Sequence, residues 1–100
     1  MKTTKVEQFH HTNQFLIVTD EEFILQSYAS IVAKINRTNR SLTLGYDFDY
    51  SNTTLRHVYA FIYKYGEWKF ADKLEKAKNK KQFIIKQIKQ GLIKYYDLDE

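Results

Sequence analysis

LTLGYDFDYSNTTLRHVYAFIYKYG, residues 42–66, holds the change of period on which the fold turns. Its first half alternates Leu42, Leu44, Tyr46, Phe48 and Tyr50 with Thr43, Gly45, Asp47 and Asp49. That period of two marks a strand with one buried face. Ser51-Asn52-Thr53-Thr54 follows, and side-chain oxygens of this kind accept from the free N–H groups of a helix's first turn. Leu55, Val58, Tyr59, Ile62 and Tyr65 then recur at helical spacing, and Gly66 reads as a left-handed C-cap. Strand gives way to helix within a few residues.

Working outward, the odd positions from Phe23 to Ile35 are almost wholly apolar and the even ones mixed, which predicts a second strand over 23–35. The small residues around Ser27–Ser30 suit a bend in it. Asn36-Arg37-Thr38-Asn39-Arg40 is a polar connector, so 23–35 and 42–50 are expected to pair as an antiparallel hairpin. Phe15-Leu16-Ile17-Val18 is a short strand, and residues 1–13 read as a flexible leader. Beyond Gly66, Trp68, Phe70 and Leu74 open a helix over 68–78. In the last helix, 82–96, the residues Ile84, Ile85, Ile88, Leu92, Tyr95 and Tyr96 fall within an arc of about 120°. Lys81 would intrude on that arc, so a break is expected near 79–81. The expected fold is α+β: a small antiparallel sheet with two or three helices (54–65, 68–78, 82–96) packed on one face.

A chain of 100 residues is sized for one domain, and its balance of 43% hydrophobic and 28% charged residues is that of a globular protein. The absence of cysteine removes disulfides, thiolate metal sites and a cysteine nucleophile. With no run of 18 apolar residues and no signal-peptide core behind Met1, the expectation is a cytoplasmic protein without a membrane partner. The net charge of +4 is unevenly placed. Residues 1–63 are neutral overall, whereas residues 64–94 carry ten lysines against Glu67, Asp72 and Glu75. Such a stretch attracts polyanions. Lysine heads suit phosphates as point charges, and no arginine lies among them to read bases bidentately.

Lys73, Lys76, Lys78, Lys80, Lys81, Lys86 and Lys89 are the candidate contacts to nucleic acid, DNA or RNA, or to an acidic protein surface. A second candidate is the helix start, where Ser51, Thr53, Thr54, Arg56 and His57 could hold an anion, although capping alone explains the Ser and Thr residues. Asp47 and Asp49, about 7 Å apart on one strand face, form a carboxylate pair more economically read as a solvent face. Tyr46, Phe48 and Tyr50 could stack bases, but Leu42 and Leu44 on the same parity favour a buried face. The adjacent His10 and His11 lack partners at metal-ligand spacing. Neither metal nor cofactor is expected, and no catalytic motif is present.

Ser27-Tyr28-x-Ser30-x-Val32-Ala33 and Tyr50-Ser51-x-Thr53-Thr54-x-Arg56-His57-x-x-x-Phe61 resemble segments of small phage and mobile-element proteins of Gram-positive bacteria. Those proteins are known only as a domain of unknown function, and the likeness covers residues 23–62. It implies a phage or prophage origin rather than an activity. With the lysine patch, the expectation drawn from that origin is a non-enzymatic accessory protein that binds a host macromolecule, an anti-defence, anti-CRISPR-like inhibitor of a nucleic-acid-handling complex in the host cytoplasm. The alternative class is a direct nucleic-acid-binding protein of phage replication or transcription control. The 3–4–3 spacing of Ile85, Ile88, Leu92 and Tyr95 also admits a homodimer.

Overall fold

A computed structural model describes residues 3–9 and 13–99. Six strands form one sheet in sequence order: β1 (Thr3–Gln8), β2 (Gln14–Thr19), β3 (Glu22–Ser27), β4 (Ser30–Asn36), β5 (Leu42–Gly45) and β6 (Lys94–Tyr96). Between β5 and β6 run α1 (Asn52–Tyr65), α2 (Trp68–Lys76) and α3 (Lys80–Lys89). The first five strands are an antiparallel meander, while β6 lies parallel to β5. The fold is α+β, but its sheet is larger than expected and mixed. A parallel neighbour needs a long crossover, and here three helices supply it.

The register puts Leu16, Leu25, Ala33 and Leu44 opposite one another across β2–β5. All four are buried, together with Val58, Phe61 and Ile62 of α1, Ala71 and Leu74 of α2, and Ile84 of α3. The row Val6, Ile17, Ile24, Lys34, Thr43 and Lys94 belongs to the opposite face by the same register.

Four expectations are corrected. The strand read over 23–35 is two strands, β3 and β4, joined by a tight turn at Tyr28-Ala29, so the 23–35/42–50 hairpin does not exist as such. The parity looked continuous because the two-residue turn and a bulge preserve it: Gln26 faces Ile31, Leu25 faces Ala33, and Val32 is the extra residue. Val32 and Ala33 are both buried as a result. The strand read over 42–50 stops at Gly45, and residues 46–49 are turns closed by Phe48 N–H to the Gly45 carbonyl (3.2 Å) and Tyr50 N–H to the Asp47 carbonyl (3.1 Å). Of its aromatic series Phe48 is buried, whereas Tyr46 and Tyr50 are exposed. Close approach of β4 requires glycine at 45, since a Cβ there would lie 2.5 Å from the Ile31 carbonyl oxygen.

The helix read over 82–96 begins earlier and ends earlier. Asn79 caps it, accepting from Gln82 N–H at 3.0 Å, which places the break where Lys81 required one. Gly91, at φ +75°, ends it: Leu92 N–H bonds the Gln87 carbonyl and Gly91 N–H the Ile88 carbonyl, both at 3.0 Å. That pair of bonds is a Schellman termination. Ile93 is then buried and Lys94–Tyr96 join the sheet. Ile85, Ile88, Leu92 and Tyr95 therefore do not share one helix. Finally, the stretch 1–13 contributes β1 and a core side chain, Phe9; His10 and His11 lie outside the described residues.

The helix starts were better read. Ser51 caps α1 with extended backbone, and its hydroxyl accepts from Thr54 N–H at 3.1 Å. Gly66 closes α1 for a different reason than expected. Its φ is −73°, not left-handed, but a Cβ there would sit 2.6 Å from the Ile62 carbonyl oxygen that its N–H bonds. Among the described residues no helix is long and apolar enough to cross a membrane.

These two kinds of glycine predict different costs. Gly91→Ala introduces a methyl group with nothing within 4 Å, so only the left-handed backbone is penalised, by about 1 kcal/mol. Gly45→Ala drives a Cβ into the β4 backbone and should cost about 2–3 kcal/mol. Urea denaturation of both variants measures the difference; equal losses would contradict it.

Candidate functional site

The two segments singled out by motif, 27–33 and 50–54, meet in space. Ser27 lies at the end of β3 and Thr54 in the first turn of α1, and their hydroxyls are 3.0 Å apart. Gln14 of β2 donates from Nε2 to Ser27 Oγ at 2.8 Å, and Ser51 donates from Oγ to Thr54 Oγ1 at 3.2 Å. Gln14, Ser27 and Thr54 are buried. Polar groups placed in a core must bond one another, and this chain ties three elements together that way.

Above that chain opens a cleft of about 670 Å³. Hydroxyls of Ser27, Ser30, Ser51, Thr53 and Thr54 line it, with the Asp47 carboxylate. Tyr28 and Tyr50 are its aromatic walls; they are 52% and 77% exposed. Tyr28 has φ 55°, a left-handed conformation unusual for a bulky side chain, set by its place in the β3–β4 turn. Ser30 Oγ donates to Asp47 Oδ2 at 3.2 Å, and Ile31 N–H donates to Asp99 Oδ1 at 2.8 Å.

The candidate anion contacts at the α1 N-terminus are thus divided. Ser51, Thr53 and Thr54 line the cleft, while Arg56 and His57 are not part of its wall. Arg56 is exposed on α1, and His57 packs edge-on to the Phe9 ring at 6.5 Å. Asp47 and Asp49, expected on one strand face, sit in the turns after β5 and diverge. Asp47 faces Ser30, whereas Asp49 pairs with Lys81 at 3.4 Å.

The lysines occupy α2, its connector and α3. Lys73 and Lys76 are exposed on α2, which buries Ala71 and Leu74. Lys78 is exposed in the connector, and Lys86 and Lys89 lie a turn apart and exposed on α3. Some of the charge is spent internally. Lys76 pairs with Asp72 at 3.1 Å, Lys81 with Asp49, and the Lys80 ammonium donates to the Glu75 and Ala77 carbonyls at the end of α2. Lys73, Lys78, Lys86 and Lys89 make no ion pair among the described residues. Trp68, at the start of α2, is 72% exposed, with the Lys69 ammonium 5.7 Å from its ring centre. The sequence placed it at the head of an apolar series with Phe70 and Leu74; Leu74 is buried and Phe70 half-buried, whereas Trp68 faces solvent.

Glu67 caps α2, accepting from Phe70 N–H at 2.8 Å and Lys69 N–H at 3.1 Å. Those two backbone bonds, Phe70's first, hold its carboxyl below the usual glutamate range, with the Lys69 and Lys73 charges assisting.

These features define a small α+β domain with a hydroxyl-lined cleft at one end of the sheet and a lysine-bearing helical flank. The chain belongs to a family of unknown function, DUF8033, whose model matches residues 2–78. No curated protein and no solved structure matches it. The matched region contains the whole cleft and ends before α3.

Two outcomes test this geometry. Ser27→Ala leaves the buried Gln14 amide without its acceptor and should cost about 1–3 kcal/mol by chemical denaturation. Thr54→Val should cost a similar amount, and the double variant less than the sum, because the two hydroxyls share one bond. For Glu67, the depressed folded-state pKa means its capping contribution is complete above the unfolded pKa and is lost as pH falls through the lower, folded value. A carboxyl-carbon NMR titration should give Glu67 a midpoint below that of free glutamate; a midpoint at or above it contradicts the capping geometry.

Proposed function

We propose that this chain is a non-enzymatic accessory protein of phage or mobile-element origin that uses the α2–α3 flank to grip a host nucleic-acid-handling complex and inhibit it. The observation behind this reading is the run of unpaired ammonium groups, Lys73, Lys78, Lys86 and Lys89, over two helices and their connector. Exposed like charges outside the fold's ion pairs attract a polyanion or an acidic protein surface. The origin rests on the likeness of the 27–33 and 50–61 segments to phage and mobile-element proteins.

Trp68 favours a second reading, direct binding of single-stranded nucleic acid, since an exposed indole with the Lys69 ammonium beside it, on a helix that also carries Lys73, can stack a base while ammonium groups track the backbone. As the chain's one tryptophan, it is its own reporter.

Capture from lysates of defence-carrying bacteria, followed by mass spectrometry, compares the native protein with the Lys73→Gln, Lys78→Gln, Lys86→Gln, Lys89→Gln variant. The native protein should retain a nucleic-acid-handling complex that the variant loses; equal capture by both ends the proposal. Direct binding is read separately, by quenching of Trp68 fluorescence with oligothymidine. With about four phosphate contacts on a single strand, the affinity should fall roughly fiftyfold between about 50 and 200 mM salt. An unquenched indole at low salt removes the second reading.

A further inference from the structure

We propose that the cleft between the β3–β4 turn and the start of α1 binds a neutral polyhydroxylated ligand of sugar size. It shares no residue with the lysine flank, so this site is independent of the function proposed above. Its volume of about 670 Å³ falls within the range of small-molecule sites, about 300–1,000 Å³.

The hydrogen-bond inventory of the floor points to a ligand acceptor. A hydroxyl has one proton to give and two lone pairs. Ser51 donates to Thr54 Oγ1, and Gln14 Nε2 donates to Ser27 Oγ. The single bond between Ser27 and Thr54 uses one proton of that pair, whichever donates. The other proton has no acceptor among the described residues, on side chains only 4% and 1% exposed that both line the cleft. Gln14 Oε1, beside them, is likewise buried without a donor. Turning the amide over gives the spare proton an acceptor but strands the NH₂ group instead, so the deficit persists. Buried deficits of this kind are uncommon.

The walls restrict what can fill it. Asp47 is the cleft's charged lining residue, with one carboxylate oxygen accepting from Ser30 and the other available, and Asp99 is anchored nearby on Ile31 N–H. An anion is repelled by these carboxylates. A cation would meet Asp47 but would offer no acceptor to the floor, and the α1 N-terminus carries positive partial charge. A hydroxyl group both accepts at the floor and donates to Asp47. Several hydroxyls on one ring can meet five Ser and Thr side chains, while the ring's C–H face has Tyr28 and Tyr50 to rest on. A sugar ring has that combination, whether as a free saccharide or as the ribose of a nucleoside.

Amide chemical-shift titrations of the full chain test this with glucose, N-acetylglucosamine, ribose and uridine, each to about 10 mM, where millimolar affinity registers. Inorganic phosphate and spermidine are the charged controls. At least one neutral probe should shift amides of residues 27–32 and 51–54 and leave those of α3 in place; saccharide against uridine separates the two sources. Asp47→Asn should weaken that binding about tenfold or more, consistent with loss of a charged hydrogen bond. Tyr50→Ala should weaken it too, and because that side chain is largely exposed the variant remains folded, which a melting curve verifies. No shift with any neutral probe overturns the proposal. So does binding of phosphate or spermidine in preference to sugar, or sugar binding that Asp47→Asn leaves intact.

Discussion

The alignment of Leu16, Leu25, Ala33 and Leu44 across four strands is the constraint on which the molecule depends. Side chains alternate faces with a period of two, so a slip of one residue in any strand would send that strand's member of the row to the opposite face. The two-residue turn fixes the pairing of β3 with β4, and the bulge at Val32 then shifts it so that Ala33 rather than Val32 enters the row. The same hairpin positions the wall of the cleft. Ser27 ends up inward against Thr54, and Tyr28 is held outward in a left-handed conformation. Packing of the core and shape of the cleft therefore have one cause.

Much of this was legible in the sequence, for identifiable reasons. The switch from period two to helical spacing near Ser51 was visible because capping chemistry and hydrophobic spacing changed at the same place. The break before α3 was visible because a lysine cannot sit in an apolar stripe. What escaped was masked by coincidence of pattern. A two-residue turn reverses parity and the bulge at Val32 restores it, so β3 and β4 looked like one strand. Tyr46 and Tyr50 alternate correctly for a strand yet are exposed: Tyr50 walls the cleft and Tyr46 packs on the Tyr95 ring, centres 4.9 Å apart. Gly91 announced the end of α3, but Leu92, Tyr95 and Tyr96 happened to continue the arc beyond it. Of the cleft, the Ser51–Thr54 cap was readable as local chemistry. Its partners Gln14, Ser27 and Ser30 are distant in the chain and depend on the fold to converge, and the nearby Asp47 meets Ser30 only because the strand stops at Gly45.

The two polar regions differ in how the fold holds them. The cleft is built from the ends of β3, β4 and α1, where buried hydrogen bonds fix the side chains, and it lies wholly within the stretch that defines the family. The lysine flank is an outer surface whose charges sit on long, mobile stems, and α3 with Lys86 and Lys89 lies beyond that stretch. Rigid hydroxyls suit discrimination among small ligands; flexible ammonium groups suit attachment to extended charged surfaces.

The parallel return of β6 has a consequence for how the chain matures on the ribosome. Every other strand pairs with its neighbour in sequence and can zip up as it emerges, but β5 waits for residues 94–96 and keeps its outer hydrogen-bonding edge open until then. Three helices must be synthesised first. During that interval the nascent domain presents a naked rim to any passing strand, and the final few residues act as its stopper.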